Sequence, residues 1–201
     1  MKRLLLIVAL LCSFVFNTAK AAEDQGGWSL GALAGYGFGS DFKTTLDTKA
    51  PSIWRFGFGA RLGYSFESGL YLGATGMYHL GESSSATVAG VSYKVSVKPI
   101  YVGGELGLTL LRGQIISIRP YVGAGYTIFK PEKRISGGGV VIDINTSDSK
   151  SYFTVNPGVL GMVYLGQLYV GADLRYYLVT GTESGFDANA FGFYVTLGIG
   201  I

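Results

Sequence analysis

The sequence predicts an all-β protein, an eight-stranded antiparallel up-and-down transmembrane β-barrel. Three observations predict this fold class. Apolar residues alternate with small or polar residues over eight segments, the connections between these segments are alternately long and short, and most charged residues within the segments lie on the less apolar face. Alternate side chains of a strand project to opposite faces of the sheet, so each segment offers one face to lipid and one to a barrel interior.

The first residues have the pattern of a secretory signal peptide. A basic start, Met1-Lys2-Arg3, precedes an apolar run from Leu4 to Phe16, and Ala19-Lys20-Ala21 follows as a small-residue cleavage site. The apolar run is too short for a membrane-spanning helix, which needs about 20 residues. We therefore expect residues 1–21 to be a cleaved signal peptide and residues 22–201 to be an outer-membrane β-barrel domain.

The composition of the processed chain excludes several kinds of chemistry. The single cysteine, Cys12, lies in the signal peptide, so no disulfide or thiolate is expected afterwards. Three of the 16 basic residues also lie there, which leaves 13 against 13 acidic residues. A neutral chain gives no reason to expect a nucleic-acid partner.

The eight segments are defined by their alternation. In the second, Trp54, Phe56 and Phe58 share one face, and Arg55 and Gly57 share the other. The predicted strands are 28–39, 54–66, 70–81, 93–111, 115–130, 151–165, 168–180 and 190–200.

The connections between these segments alternate in length. The links 40–53, 82–92, 131–150 and 181–189 are long, whereas 67–69, 112–114 and 166–167 are tight turns. Outer-membrane barrels have short periplasmic turns and longer outer loops, which is the same alternation.

A soluble β-sandwich is the alternative, and the charges argue against it. A charge facing lipid at mid-depth costs about 2–4 kcal/mol, so a membrane barrel keeps its charges on the interior face. Six charged residues of the segments, together with the sole histidine, lie on the face that is poor in large apolar residues: Arg55, Arg61, His79, Glu105, Arg119, Asp173 and Arg175.

Four strands repeat a Tyr-Val/Leu-Gly-Ala/Gly motif, beginning at Tyr71, Tyr101, Tyr121 and Tyr169. Within each motif the tyrosine, the glycine and the next residue but one share the interior face. We interpret the repeat as a packing unit, in which glycine lets the tyrosine ring lie across neighbouring backbone. The third interior position varies between Thr75, Glu105, Gly125 and Asp173.

Three features fit the pattern less well. The alternation changes parity between Val97 and Ile100, and a β-bulge at Lys98-Pro99 would account for the change. Pro157 lies inside the sixth segment, although a closed barrel has no free edge for it. Residues 140–144, VVIDI, either extend the fifth strand or form a short hairpin.

The chain resembles the small outer-membrane β-barrel family, the OmpA-like and OmpX-like eight-stranded proteins. The resemblance covers residues 22–201 and rests on PYVGAGY at 120–126, YVGADLRYYL at 169–178 and FGFYVTLGIGI at 191–201. It implies outer-membrane lipid, lipopolysaccharide and the barrel-insertion machinery as partners. Such proteins usually end on an aromatic residue that this machinery reads, whereas this sequence ends on Ile201.

The sequence contains no convincing catalytic or metal-binding pattern, and no cofactor is expected. Some small outer-membrane barrels resemble serine hydrolases that deacylate lipid A, with a histidine and a serine two residues apart. Here His79 is followed two residues later by Gly81, and Ser83 to Ser85 fall in the predicted loop beside Glu82. A nucleophilic serine needs a base within hydrogen-bond reach, which only a favourable loop fold would supply.

Four interior charges are predicted to lie near mid-depth. Arg61, Glu105, Asp173 and Arg175 carry two positive and two negative charges into a narrow interior, where buried charges need partners. They form either a plug of ion pairs or a gate whose pairs rearrange to pass ions. Arg55 and His79 are expected on the same interior face, nearer the outer rim.

The predicted function is that of a non-enzymatic integral outer-membrane protein with a structural or surface-contact role. The four outer loops would contact lipopolysaccharide or an unknown surface ligand, with Lys130, Lys133 and Arg134 as candidates for lipid phosphates. The alternatives are a narrow porin-like channel and a lipid A-modifying enzyme.

Overall fold

The computed structural model describes residues 26–39, 53–81, 83–88, 91–112, 115–137, 140–144, 149–182 and 188–201. The predicted signal peptide, residues 1–21, lies outside them. Among the described residues, no helix is long and apolar enough to cross a membrane.

Eleven β-strands make up the described fold. They are β1 (Gly27–Phe38), β2 (Phe56–Ser65), β3 (Leu70–His79), β4 (Ser83–Val88), β5 (Val91–Leu108), β6 (Leu111–Arg112), β7 (Ile116–Gly137), β8 (Val140–Ile144), β9 (Lys150–Leu165), β10 (Leu168–Val179) and β11 (Ala190–Gly200). The short strands β4, β6 and β8 are extensions, and the other eight are the predicted strands.

The eight long strands form a closed antiparallel barrel. Each pairs with its neighbours along the chain, and β1 pairs with β11 from Ser29–Gly200 to Phe38–Phe191. Beyond this ladder, Trp28 and Ile201 exchange backbone hydrogen bonds of 3.1 and 2.7 Å. The predicted fold class is therefore confirmed.

The two ends of the barrel differ, and we call them the turn end and the loop end. At the turn end, β2 joins β3 through residues 66–69, and β9 joins β10 through residues 166–167, as predicted. The third predicted turn, 112–114, lies partly outside the described residues. The described strand ends that the long connections join lie at the loop end.

Within the barrel, the outward face of the eight long strands is apolar. Val102, Leu106, Val122 and Leu197 are each more than half exposed, and the residues beside them in sequence point inward. A soluble protein would bury such side chains, whereas a barrel in lipid exposes them to acyl chains.

The sheet continues beyond the barrel at the loop end. β4 pairs with the first half of β5, β5 with the last part of β7, and β7 with β8. Residues 140–144 thus form a short hairpin with β7, one of the two predicted alternatives. Residues 83–88, predicted as part of a loop, instead form β4. The sequence of this segment did not predict a strand, because β4 forms by pairing with β5.

The predicted β-bulge at Lys98-Pro99 is wrong. The pairing of β5 with β7 runs without a shift from Ser92–Ser136 to Gly107–Tyr121. Val97 faces inward and packs against buried aromatic residues, so apolar character on that strand does not always mean a lipid-facing position.

The irregularity lies on the opposite strand. Tyr78 pairs with Ile100, but Ser83 pairs with Ser96, so the chain from β3 into β4 is one residue longer than the chain it faces. Gly81 lies within this extra length with a φ of 66°. A positive φ suits glycine, which has no Cβ to clash with the backbone.

Pro157 lies where one ladder is interrupted. β9 pairs with β10 from Leu165–Leu168 to Gly158–Arg175 and resumes at Val155–Leu178, whereas its pairing with β7 is continuous through Pro157. The proline has no N–H to donate, and the barrel accommodates it as a local gap between β9 and β10.

The interior is filled by side chains in three layers. An aromatic layer lies towards the loop end, and a charged layer lies in the middle. Towards the turn end is a layer that includes Tyr164, Tyr169 and Met162. An eight-stranded barrel is just wide enough for side chains to fill it.

Candidate functional site

The middle layer brings together the four charges predicted from the sequence. Arg61 comes from β2, Glu105 from β5, and Asp173 and Arg175 from β10. The odd-numbered residues of these strands face inward. Side chains alternate between the two faces of a strand, and residues paired in register share a face. All four residues are at most 4% exposed.

The two arginines and the two carboxylates form a continuous network, which we call the charge cluster. Arg61 donates from Nε to Glu105 Oε2 at 2.8 Å and from Nη2 to Asp173 Oδ2 at 2.5 Å. Arg175 Nη2 donates to the same Asp173 oxygen at 2.5 Å, and its Nη1 lies 3.8 Å from Glu105 Oε1. Each carboxylate is therefore close to both arginines.

Two neutral side chains complete the cluster. Thr75 donates its hydroxyl to Glu105 Oε1 at 2.7 Å, and Tyr121 donates to Asp173 Oδ1 at 2.7 Å. The Tyr121 ring also lies 5.1 Å from the Arg61 guanidinium and 5.6 Å from that of Arg175. Tyr121 therefore contacts both the carboxylate of Asp173 and the two guanidinium groups.

The variable positions of the four repeated motifs converge here. Thr75, Glu105 and Asp173 all hydrogen-bond to one guanidinium, that of Arg61. The fourth variable residue, Gly125, adds no side chain to the interior. The repeat supplies a scaffold of tyrosine and glycine, and three of its variable positions build the cluster.

The charge cluster is neutral as a unit. Two arginines and two carboxylates balance, and removing one partner would leave a buried charge uncompensated, which costs about 3–5 kcal/mol. Passage of ions through this layer would require the pairs to exchange partners.

The aromatic layer lies above the charge cluster, at the loop end. His79 is fully buried, and its Nε2 lies 2.8 Å from the Tyr194 hydroxyl. The Trp54 ring stacks on Tyr177 at 4.5 Å and meets His79 edge-on at 4.9 Å. The structure places His79 on the interior face as expected, but beneath a covering of aromatic rings.

Trp54 was expected on the lipid face, and this expectation is wrong. Its side chain is 0% exposed, and its indole N–H donates to the Ala188 carbonyl at 2.9 Å. β2 begins only at Phe56, so the alternation of the strand does not extend to Trp54. Trp54 instead packs inside the loop end and meets Ala188, just before β11.

Arg55 lies at the same mouth. It is half-buried, precedes β2, and accepts a hydrogen bond at its carbonyl from the Gly37 N–H at 3.2 Å. The structure does not bring it to the charge cluster.

The predicted lipid-contact residues lie on the extended part of β7. Lys130 is exposed and pairs in register with Lys98 of β5. Lys98 donates to Glu132 at 2.7 Å. Lys133 and Arg134 follow on the same strand, opposite Val95 and Lys94; their side chains lie outside the described part of the structure.

Sequence reasoning missed two interior polar groups. Tyr101 donates to Asn156 Oδ1 at 3.1 Å, and the hydroxyls of Thr127 and Thr154 lie 2.7 Å apart. Asn156 precedes Pro157, and its inward position follows from the parity of β9. That parity follows from the sequence, but an uncharged side chain on a polar face gives no signal that it joins an interior hydrogen bond.

The lipid A alternative receives no geometric support from the described residues. Ser83 to Ser85 belong to β4, paired with β5, and Glu82 lies outside the described residues. Across the described ranges, no group of three or more His, Cys, Asp or Glu side chains is placed to hold a metal ion.

Together, the closed barrel, the apolar outer surface and the filled polar interior define a small integral membrane β-barrel protein. The model of the outer membrane protein beta-barrel domain family matches residues 7–198, and the chain belongs to this family. It is an outer-membrane protein of the Gram-negative type. No curated protein matches the sequence.

One solved structure supports the barrel fold with a TM-score above 0.5, and two others align less closely. Neisserial surface protein A (NspA) aligns with a TM-score of 0.55 and 11% identity, covering 87% of this chain and 97% of that one. Ail, the attachment invasion locus protein of Yersinia pestis, aligns with a TM-score of 0.44 and 15% identity over 87% and 96%. The N-terminal β-barrel domain of Pseudomonas aeruginosa OprF gives a TM-score of 0.45 and 15% identity over 88% and 100%.

Proposed function

We propose that this protein is a non-enzymatic component of the outer membrane that strengthens the envelope by contacting lipopolysaccharide phosphates. The contact would be made by the outward face of β5 and β7, just beyond the apolar band. The other proposed surface roles, adhesion to cells or to host surfaces, would use the same loop end.

The observation that supports this proposal is a basic patch made of Lys94, Lys98 and Lys130. Along β5 and β7 the outward positions change from Ile100 and Ile128 to the register pair Lys98 and Lys130. Such a change from apolar to basic residues is expected where lipid headgroups meet the barrel.

The charges of this patch do not cancel. Glu132 pairs with Lys98, but Lys130 stands directly across the ladder from Lys98, and Lys94 is exposed further along β5. Like charges opposite each other are unfavourable in a sheet. A phosphate between them would relieve the repulsion, and each lysine near an anionic surface contributes about 1 kcal/mol.

The test is the amount of lipopolysaccharide retained by the purified barrel. Lys130→Ala and Lys94→Ala together should reduce retention severalfold and make the remaining retention less sensitive to salt, because salt screens the electrostatic contacts that these two lysines would make with phosphates. Lys150→Ala is the matched control. It removes an exposed lysine from the same end, but Lys150 pairs with inward-facing Phe129 and so lies on the other face. Equal retention by all three proteins would refute the proposal.

A narrow channel is the second candidate, supported by the charge cluster alone. If the ion pairs of the charge cluster exchanged partners, ions could pass through the interior. Against it stand the complete pairing of the carboxylates and the aromatic layer above them.

A further inference from the structure

We propose that the barrel wall opens locally between β9 and β10, at Asn156 and Pro157, and that this opening is a side entrance for water and other small uncharged molecules that carry a hydroxyl group. The entrance would connect the lipid side of the wall with the interior, next to the charge cluster. It lies on other strands than the lysine patch and does not depend on the proposed function.

The pairing of β9 with β10 is interrupted inside the barrel. Arg175 pairs with Gly158 and Leu178 pairs with Val155, which leaves two residues of each strand outside this pairing. Because both strands skip the same number of residues, the interruption is not a β-bulge, which adds a residue to one strand only. Among the described strands, the seven other pairings that close the barrel run without a break.

Pro157 explains why the two strands do not join here. The Phe153 carbonyl accepts a backbone hydrogen bond from Thr180 N–H at 2.8 Å, and hydrogen-bonded pairs alternate along an antiparallel ladder. Continuing this alternation makes Pro157 and Tyr176 a hydrogen-bonded pair, in which residue 157 would donate to the Tyr176 carbonyl. Proline has no N–H, so this donor is missing. The other edge of β9 pairs with β7 through Pro157 without a break.

The interruption separates a lipid-facing surface from the interior. On the outside, Pro157 is exposed and Tyr176 is 41% exposed. On the inside, Asn156 and Tyr177 are fully buried. Two residues of a strand span about 7 Å, so an opening of this length suits molecules of about the size of water.

Asn156, which lies behind the interruption, has a donor that is not used. Its Oδ1 accepts from the Tyr101 hydroxyl at 3.1 Å, whereas its buried Nδ2 has no hydrogen-bond partner among the described residues. Arg175 is the diagonal neighbour of Asn156 across the interruption, and its Nη1 also makes no hydrogen bond to any described residue. Buried donors without an acceptor cost free energy, so a molecule that supplies an acceptor is favoured here.

These groups determine which molecules the entrance suits. The Tyr176 carbonyl needs a donor, and Asn156 Nδ2 needs an acceptor. A hydroxyl group serves as both. An ion would first have to leave water for hydrocarbon, which costs far more free energy than the transfer of a neutral hydroxyl group. The side entrance is therefore suited to water and small alcohols.

Hydrogen exchange of single amides tests the opening. By the alternation described above, the N–H groups of Val170, Ala172 and Tyr176 all point from β10 towards β9. We expect the Tyr176 amide to exchange about tenfold faster than the other two, measured by NMR in detergent micelles. Pro157→Val supplies the missing donor and should slow exchange at Tyr176 about two- to tenfold, the effect of one hydrogen bond. Pro120→Val is the matched control, since Pro120 lies in the unbroken pairing of β7 with β9, and it should leave Tyr176 unchanged.

The reactivity of a single cysteine tests access to the interior. The one cysteine of the sequence, Cys12, lies in the predicted signal peptide, so Asn156→Cys and Thr196→Cys each give a processed protein with one thiol. Thr196 is the control position, because it is fully buried and both pairings of its strand are unbroken. We expect uncharged methyl methanethiosulfonate to modify Asn156→Cys about tenfold faster than Thr196→Cys, and its charged sulfonatoethyl analogue to modify neither.

A second change links the two measurements. Pro157→Val, added to Asn156→Cys, should slow its modification towards the rate of Thr196→Cys. Heat-modifiable migration on a gel shows that each variant has folded. Equal rates at the two positions, or no effect of Pro157→Val on exchange and modification, would overturn the proposal. Equally fast modification by the charged reagent would also overturn it, because that reagent enters only from the aqueous ends of the barrel.

Discussion

At the level of single residues, the interior of this barrel depends on the fit between tyrosine rings and bare backbone. Tyr71 lies against Gly63 and Gly73, Tyr169 against Gly31 and Gly198, and Tyr121 against Gly158. The repeated motif predicted this packing, because it places a tyrosine and a glycine on the same face. The glycines of the neighbouring strands could not be assigned from the motif, since their positions depend on the register.

A methyl group at Gly63 tests this fit. In Gly63→Ala the new Cβ would overlap the Tyr71 ring, which is rigid and cannot shift without disturbing its neighbours. We expect a loss of about 1–3 kcal/mol in the free energy of unfolding, typical of an overpacked interior. Urea titration of the barrel in detergent micelles measures it. Gly76→Ala is the control, since its Cβ would point to open space; a similar loss in both variants would argue against the packing unit.

The charge cluster makes a second prediction at this scale. Arg61→Met leaves Glu105 and Asp173 with one arginine between them, and we expect it to cost about 3–5 kcal/mol. The exposed charge change Lys130→Met should cost less than about 0.5 kcal/mol.

A double-mutant cycle separates the pairing from the loss of packing. Because Glu105→Gln removes the charge that Arg61 compensates, Arg61→Met should cost less in that background than in the natural protein. Strict additivity of the two changes would mean that these side chains are not coupled.

At the level of the strands, alternation in the sequence located all eight barrel strands, usually to within a few residues. It failed where a neighbouring strand decides the outcome. β4 is a strand because β5 extends past the barrel to pair with it, and the inward position of Val97 follows from that same register. The alternation also predicted the wrong face for a residue at the end of a run, because Trp54 precedes the start of β2 at Phe56.

Gly81 is the residue that allows β3 to continue into β4 with one extra residue. In Gly81→Ala the positive φ costs about 1–2 kcal/mol, and the new Cβ would overlap the Val97 carbonyl oxygen. We expect faster amide hydrogen exchange in β4, measured by mass spectrometry, with unchanged protection in β3. Unchanged exchange in β4 would show that the extension does not depend on this glycine.

At the level of the whole molecule, alternate residues along each strand build two different surfaces, an outer one and an inner one. The outward residues meet lipid, and the inward residues form a continuous filling of aromatic, charged and tyrosine-rich layers. The sequence predicted the four charges of the middle layer, because charge on an otherwise small-residue face is conspicuous. It did not predict the cover above them, because Trp54 and Ala188 belong to connections whose course only the folded chain reveals.

The central claim is that this filled interior is closed to ions, and the conductance of planar lipid bilayers tests it most directly. With the purified protein inserted, we predict no steady openings, because the carboxylates of Glu105 and Asp173 stay paired and the buried aromatic layer lies above them. Steady openings of the natural protein that are lost in Arg61→Ala or Glu105→Ala would contradict the claim and establish the charge cluster as a gate.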